Sequence, residues 1–182
     1  MLKLILVIVF LASPVFSPVF AQDQTATSLQ AAGCGPDATQ FDVKIDKKSH
    51  LTAKPADGKA LVYVFADQEA DNMKLVVGPV ITRIGADGNW VGALKLKSYF
   101  YVPVDPGDHR LCASVQSKLE SRTIKYSAAT TFTAEAGKTY YFRTKTPYRP
   151  QPQDYVQLVP VDAADAQLRI VSAALSTSQA KK

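Results

Sequence analysis

Histidine and cysteine are scarce in this 182-residue chain, with two of each, and tryptophan occurs once. Two histidines exclude a histidine-rich metal site, and neither His50 nor His109 lies in a His-Glu-x-x-His motif. His50 belongs to a polar loop. His109 follows Asp105-Pro106-Gly107-Asp108 and shares parity with Leu111, so it reads as a rim residue at a strand start rather than as a catalytic base. No Gly-x-Ser-x-Gly elbow, glycine-rich phosphate cradle or Cys-x-x-Cys pair is present, which removes the usual nucleophile, nucleotide and redox signatures. No catalytic residue, metal or cofactor is expected. The one candidate for calcium is Asp67-Gln68-Glu69-Ala70-Asp71-Asn72, whose alternate side-chain oxygens suit that ion. It lacks the glycine and distal glutamate of an EF-hand, and the competing reading is a solvated acidic loop.

Charge of one sign is also lacking. The formal net charge is +5, and the basic residues are scattered, with no basic stripe interleaved with aromatics. A nucleic-acid partner is therefore not expected. Long apolar runs are absent beyond Leu4 to Ala12, which is too short to anchor in a bilayer. Preceded by Met1-Leu2-Lys3 and followed by Val19-Phe20-Ala21, that run reads as a secretory signal peptide over residues 1–21, cut after Ala21. The expected product is exported to the periplasm, envelope or exterior, with no transmembrane segment. Loss of Lys3 leaves twenty of the twenty-one basic residues against sixteen acidic ones.

In an oxidising compartment the two cysteines acquire a reading. In Arg110 to Val115, Leu111, Ala113 and Val115 share one strand face, while Cys112 shares the other with Arg110 and Ser114. A Cys34–Cys112 disulfide would then fasten the N-terminal segment onto the sheet, contributing on the order of 4 kcal/mol by the chain-entropy model. Two alternatives stand beside it. Ala31-Ala32-Gly33-Cys34 has the look of a lipidation site, although the polar stretch Gln22 to Gln30 separates it from the apolar run. The cysteines are otherwise two unrelated thiols.

What is abundant is strand and turn chemistry. Residues 22–40 form an extended lead-in. Phe41, Val43 and Ile45 alternate as a half-buried strand. Ala60 to Phe65 is continuously apolar, hence a central strand covered on both faces. Residues 79–115 read as a β-meander of three or four antiparallel strands, turning at Asp87-Gly88 and Asp105-Pro106-Gly107-Asp108. Trp90, alone in its strand, is expected in the core. Residues 124–134 and 138–145 read as a hairpin around Glu135-Ala136-Gly137, with Tyr140 and Phe142 on one face and Tyr141, Arg143 and Lys145 on the other. The three prolines of Thr146 to Asp154 preclude regular structure there. A last strand, Tyr155 to Val159, precedes a helix capped by Asp162, with Leu168, Val171 and Leu175 at helical spacing. Residues 176–182 read as a frayed tail, leaving 41–175 as the folded domain. About eight strands and one C-terminal helix predict a mainly β, single antiparallel β-sandwich.

Several stretches carry a resemblance. Gly58-Lys59-Ala60-Leu61-Val62-Tyr63, Trp90-Val91-Gly92, Tyr99-Phe100, Asp105-Pro106-Gly107-Asp108-His109 and Ala136-Gly137-Lys138-Thr139-Tyr140-Tyr141-Phe142, with the closing strand and helix, resemble the bacterial family of the domain of unknown function DUF2846. Many members of that family are exported or are lipoproteins; this chain departs from the latter in lacking a well-placed lipidation cysteine. The resemblance implies a transthyretin-like or carboxypeptidase-regulatory-like sandwich and brings no active site with it.

Two functional surfaces are legible. Tyr141, Arg143 and Lys145, next to Tyr148 and Arg149, suit a sugar or an anionic polymer such as an envelope polysaccharide, and equally describe any exposed strand. Trp90 is the other. The expected function is a secreted or periplasmic non-catalytic module of the cell envelope with a structural or binding role, its partner an envelope polysaccharide or another envelope protein. The rivals are a carbohydrate-binding protein, which needs a shallow aromatic platform, and a hydrolase with a loop-built site, which needs a deep pocket of titratable groups.

Overall fold

The computed structural model describes residues 32–50, 52–66, 80–119, 122–124, 127–145 and 156–182. The expected signal peptide over residues 1–21, the expected loop at residues 67–72, Tyr148 and Arg149 lie outside the described residues. Those described form a mainly β structure of eleven strands in two sheets with one short helix. In chain order these are β1 (Phe41–Asp46), β2 (Ala60–Ala66), β3 (Ile81–Ala86), β4 (Asn89–Lys95), β5 (Ser98–Val104), β6 (Gly107–Leu119), β7 (Arg122–Ile124), β8 (Ser127–Ala134), β9 (Thr139–Lys145), β10 (Gln157–Pro160), α1 (Ala163–Ser172) and β11 (Ala174–Ala180). One sheet has the order β1-β11-β5-β2-β9-β10; the other runs β4-β3-β6-β7, with β8 also on β6.

Strand β2 carries the expectation made of it. All seven residues are buried, and it lies inside the six-stranded sheet between β5 and β9. Val62 and Val64 face the main core with Phe100 and Phe142, opposite Ile84, Leu94, Leu111, Ala113 and Val115 of the other sheet. Leu61, Tyr63 and Phe65 face a second core beneath α1, with Tyr99, Ala166 and Ile170. Apolar cover on both faces is what a continuous apolar strand requires.

The meander is not formed. β3 and β4 make the expected hairpin at Asp87-Gly88, both at positive φ (52° and 85°). β5 then leaves for the other sheet, pairing antiparallel with β2, and β6 pairs back onto β3. The reason lies in β5 itself: Tyr99 and Phe100 are apolar on opposite faces, and the six-stranded sheet offers an apolar core to each, the main core to Phe100 and the one beneath α1 to Tyr99. The second expected hairpin fails for a similar reason. β8 pairs with β6, whereas β9 crosses to lie parallel to β2, so Phe132 and Phe142 meet across the core at 5.1 Å rather than along a ladder. With β11 also parallel to β5, the six-stranded sheet is mixed rather than wholly antiparallel.

The C-terminus corrects two further expectations. Asp162 does cap α1, its Oδ1 accepting the Asp165 N–H at 2.9 Å. The buried face, however, is Ala166 and Ile170, while Leu168 and Val171 are 73% and 69% exposed. A small alanine lets the helix approach the aromatic layer closely, which the bulkier leucine stripe would not. Residues 174–180 are a strand and not a frayed tail: β11 pairs antiparallel with β1 and closes the sheet against β5. Its sequence has no apolar alternation; what holds it is backbone pairing and the buried Ser98–Ser176 hydroxyl contact at 2.7 Å.

Candidate functional site

The outer face of the five-stranded sheet is covered by residues 33–40, which cross it as a strap. Strand parity on β6 is as expected: Leu111, Ala113 and Val115 enter the core and Cys112 faces away from it. Cys112 is nonetheless fully buried, because the strap lies on top and Cys34 is joined to it as a disulfide, with the Cα atoms 5.2 Å apart. This pairing supports the disulfide reading over lipidation of Cys34 and over two unrelated thiols. A Cβ on Gly85 would come within 2.8 Å of Cys34 Cα, and one on Gly35 would run into the Trp90 ring, so the close contact depends on both glycines.

Arg83 is the strap's second anchor, one that the sequence reading missed. It stands opposite Ser114 on β6 and is buried. Nη1 donates to the carbonyls of Asp37 (3.0 Å) and Thr39 (2.6 Å), and Nη2 donates to Ser114 Oγ (3.0 Å). Burial pulls the guanidinium's pKa below its ordinary value, against the nearby charge of Asp37, but arginine remains protonated. The signal was available in Ile81-Thr82-Arg83-Ile84, where a charge interrupts an otherwise apolar strand.

Trp90 is not in the main core; half-buried, it packs on the outer face against a small cluster of Phe41, Val43 and Ala93. Its ring lies over the Arg83 guanidinium at 4.4 Å, and Nε1 donates to the Pro36 carbonyl at 2.8 Å. The cause is a β-bulge: Ile84 pairs with Gly92 but Gly85 with Trp90, so one extra residue flips Trp90 to the outer face.

At the rim, His109 bridges two turns. Nδ1 lies 2.6 Å from Asp87 Oδ2 and Nε2 2.7 Å from the Asp105 carbonyl oxygen. Both partners are acceptors, so both nitrogens must donate and the ring is held as imidazolium. Burial by itself opposes that charge; the Asp87 and Asp105 hydrogen bonds and the charges of both carboxylates outweigh it and raise the pKa. Burial likewise favours the neutral acid at Asp87, and the Arg110 N–H and His109 outweigh it to hold the carboxyl low. A ring with both nitrogens engaged has no lone pair for a substrate proton. His50 also makes a local contact, with Nδ1 3.0 Å from the Ile170 carbonyl oxygen. Among the described residues, no three His, Cys, Asp or Glu side chains gather to hold a metal.

The expected ligand surface is split. Tyr141, opposite Tyr63 on the parallel ladder, packs against its ring at 5.4 Å, with Tyr101 on the other side of Tyr63 at 5.2 Å. This cross-strand tyrosine row belongs to the second core. The central Tyr63 is buried, its hydroxyl accepting the Ala53 N–H at 2.6 Å, so the row is no open platform. Burial accordingly raises the Tyr63 pKa. Arg143 and Lys145 share this sheet face and are half-buried beside β10, opposite Val159 and Gln157.

A family model described as a protein of unknown function, DUF2846, matches residues 56–155, more than half of the chain. The chain belongs to the DUF2846 family. The matched stretch runs from the loop before β2 to the threshold of β10, and so holds both faces of the main core but neither the strap nor α1 and β11. No curated protein and no solved structure matches the chain.

Proposed function

We propose that this DUF2846 protein is an exported, non-catalytic β-sandwich module of the bacterial cell envelope, transthyretin-like or carboxypeptidase-regulatory-like in architecture, with a structural or binding role. The observation that carries this reading is the Cys34–Cys112 disulfide. A fully buried crosslink between distant segments belongs to proteins that meet an oxidising compartment, and reducing cytosol would leave it unmade. The apolar run Leu4 to Ala12 and Val19-Phe20-Ala21 supply the export route. The non-catalytic part rests on His109, whose two nitrogens are spent on turns.

The ligand surface in this reading is Arg143 and Lys145, with Tyr148 and Arg149 following in the chain. Two cations on one strand, with a third close in sequence, suit a polyanionic envelope polysaccharide or an acidic patch of another envelope protein.

Cell fractionation with thiol trapping tests the export reading. The expected result is protein in the periplasmic or extracellular fraction, cleaved near Ala21 and with no alkylatable thiol. Cytoplasmic protein with two free thiols would overturn it. For binding, an anionic envelope polysaccharide is titrated into the parent and into an Arg143→Glu, Lys145→Glu variant. Equal affinity in both would remove this surface from the proposal.

A further inference from the structure

Strand β1 ends the six-stranded sheet, and its outward edge has no neighbouring strand among the described residues. The direction of its backbone groups follows from the ladder. Gln40 and Lys181 form a hydrogen-bonded pair, the Lys181 N–H reaching the Gln40 carbonyl at 2.8 Å. Antiparallel pairing alternates, so Asp42, Lys44 and Asp46 bond inward to β11 while Phe41, Val43 and Ile45 present their N–H and C=O groups to the open edge. The Phe41 N–H, held by the Gln116 side chain at 3.1 Å, confirms the direction.

The other edges are less available. On β4 the Ala93 N–H is taken by Ser178 Oγ at 2.9 Å. β10 is four residues long and ends at Pro160, which has no N–H to give. β8 is longer, but its Ala and Thr residues encode no preferred register.

The β1 sequence does encode one. Exposed charges on an edge strand ordinarily discourage pairing, since an arbitrary neighbour meets like charge or none. Phe41-Asp42-Val43-Lys44-Ile45 is different, because read antiparallel against itself about Val43 it sets Asp42 opposite Lys44 twice. The same register places Val43 on Val43 and Ile45 on Phe41 on the apolar face. Moving the centre by one residue sets Asp42 on Asp42, or Lys44 on Lys44 with Asp42 on Asp46. Centring on Ile45 restores opposite charges but overlaps only the end of the strand, where Asp46 already holds the Lys48 and Ser49 N–H groups. The outward-bonding residues are also the ones this register needs: Val43 pairs with Val43 through both N–H groups and the Ile45 N–H meets the Phe41 carbonyl, while the Phe41 N–H stays with Gln116, so four of the six ladder bonds form. Ile45, at 38% the one exposed large apolar residue on a strand among those described, would gain cover.

We propose that the protein self-associates through this edge, two copies joining β1 to β1 antiparallel about Val43 to make one continuous twelve-stranded sheet. The interface is isologous and closed, so it yields a dimer and not a fibre.

Sedimentation equilibrium of the mature, oxidised protein over a wide concentration range is the test, with Ile45→Pro and Lys44→Asp alongside. Ile45→Pro deletes an N–H that the monomer's own ladder does not use, so the variant should keep its circular dichroism and lose the dimer. Lys44→Asp should weaken association about tenfold or more, since two attractive cross-strand pairs become repulsive. Adding Asp42→Lys to Lys44→Asp restores the complementarity with the signs reversed and should restore the dimer, which a merely structural effect of either change would not do. A parent that stays monomeric throughout, or a dimer indifferent to Lys44→Asp, would overturn the proposal.

Discussion

Arg83 and Trp90 grip the same strap from one cation–π pair. The guanidinium lies 4.4 Å from the ring centre and holds the Asp37 and Thr39 carbonyls, while the indole N–H holds that of Pro36. Three carbonyl oxygens of the strap, those of Pro36, Asp37 and Thr39, are thus held, so the grip depends on where the strap runs more than on its side chains.

Arg83→Met should destabilise the fold by about 1–3 kcal/mol, because two part-buried carbonyls and the buried Ser114 hydroxyl lose their donor. Arg83→Lys should recover little of this, since a single ammonium cannot span the guanidinium's three contacts. Chemical denaturation measures the loss, and hydrogen exchange over residues 35–40 locates it. A lysine variant as stable as the parent would contradict the fork-shaped recognition.

The disulfide should act as one unit with the fold. Cys34→Ser, Cys112→Ser and the double variant should each lose about 2–4 kcal/mol, and the double change should cost little more than either single one. The main core lies on the opposite face of β6, so all three should still fold. Thermal melts check the ranking, and additive losses would show that the cysteines contribute separately.

Stability should depend on pH through His109. Its pKa is raised on folding from 6.5, so its contribution is fully present below about pH 6.5 and is lost as pH rises through the folded value. The parent's melting temperature should fall over that window, and His109→Gln should flatten the fall. Asp87 works in the other direction: its lowered pKa contributes stability above 3.8 that is lost in acid. A parent and variant with parallel profiles above neutrality would refute the histidine assignment.

Gly107 sits at φ 131° with open space where a Cβ would go. Gly107→Val should cost about 1–3 kcal/mol through backbone strain alone, with no clash to relieve. An unchanged melting temperature would mean that the Asp105-Pro106-Gly107 turn relaxes freely.

On α1 the two apolar stripes should behave oppositely. Ile170→Ala should cost about 2–4 kcal/mol, as a buried side chain against Phe65 and Tyr99 is lost. Leu168→Lys should stay within about 0.5 kcal/mol. Denaturation midpoints of the two variants decide which stripe faces the sheet.

What the sequence determined by itself is local or compositional. Strand β2 is central because an unbroken apolar run cannot sit at a wet surface, and Asp87-Gly88 turns because its residues tolerate positive φ. Cys112 faces away from the core because alternate strand residues face opposite ways, and Asp162 caps α1 because its carboxylate reaches the Asp165 N–H. What only the tertiary structure decided is long-range. Whether β5 continues a meander or crosses to β2, whether β9 folds back on β8, and whether Ala174–Ala180 frays or closes a sheet all depend on partners far along the chain. Trp90 left the main core through a single bulged residue, and Tyr141 joined a second core because Tyr63 and Tyr101 lie beside it on neighbouring strands. Periodicity states which residues share a face of one strand; it carries no term for which strand lies next to it, because that choice is made by the summed burial and backbone pairing of the whole molecule.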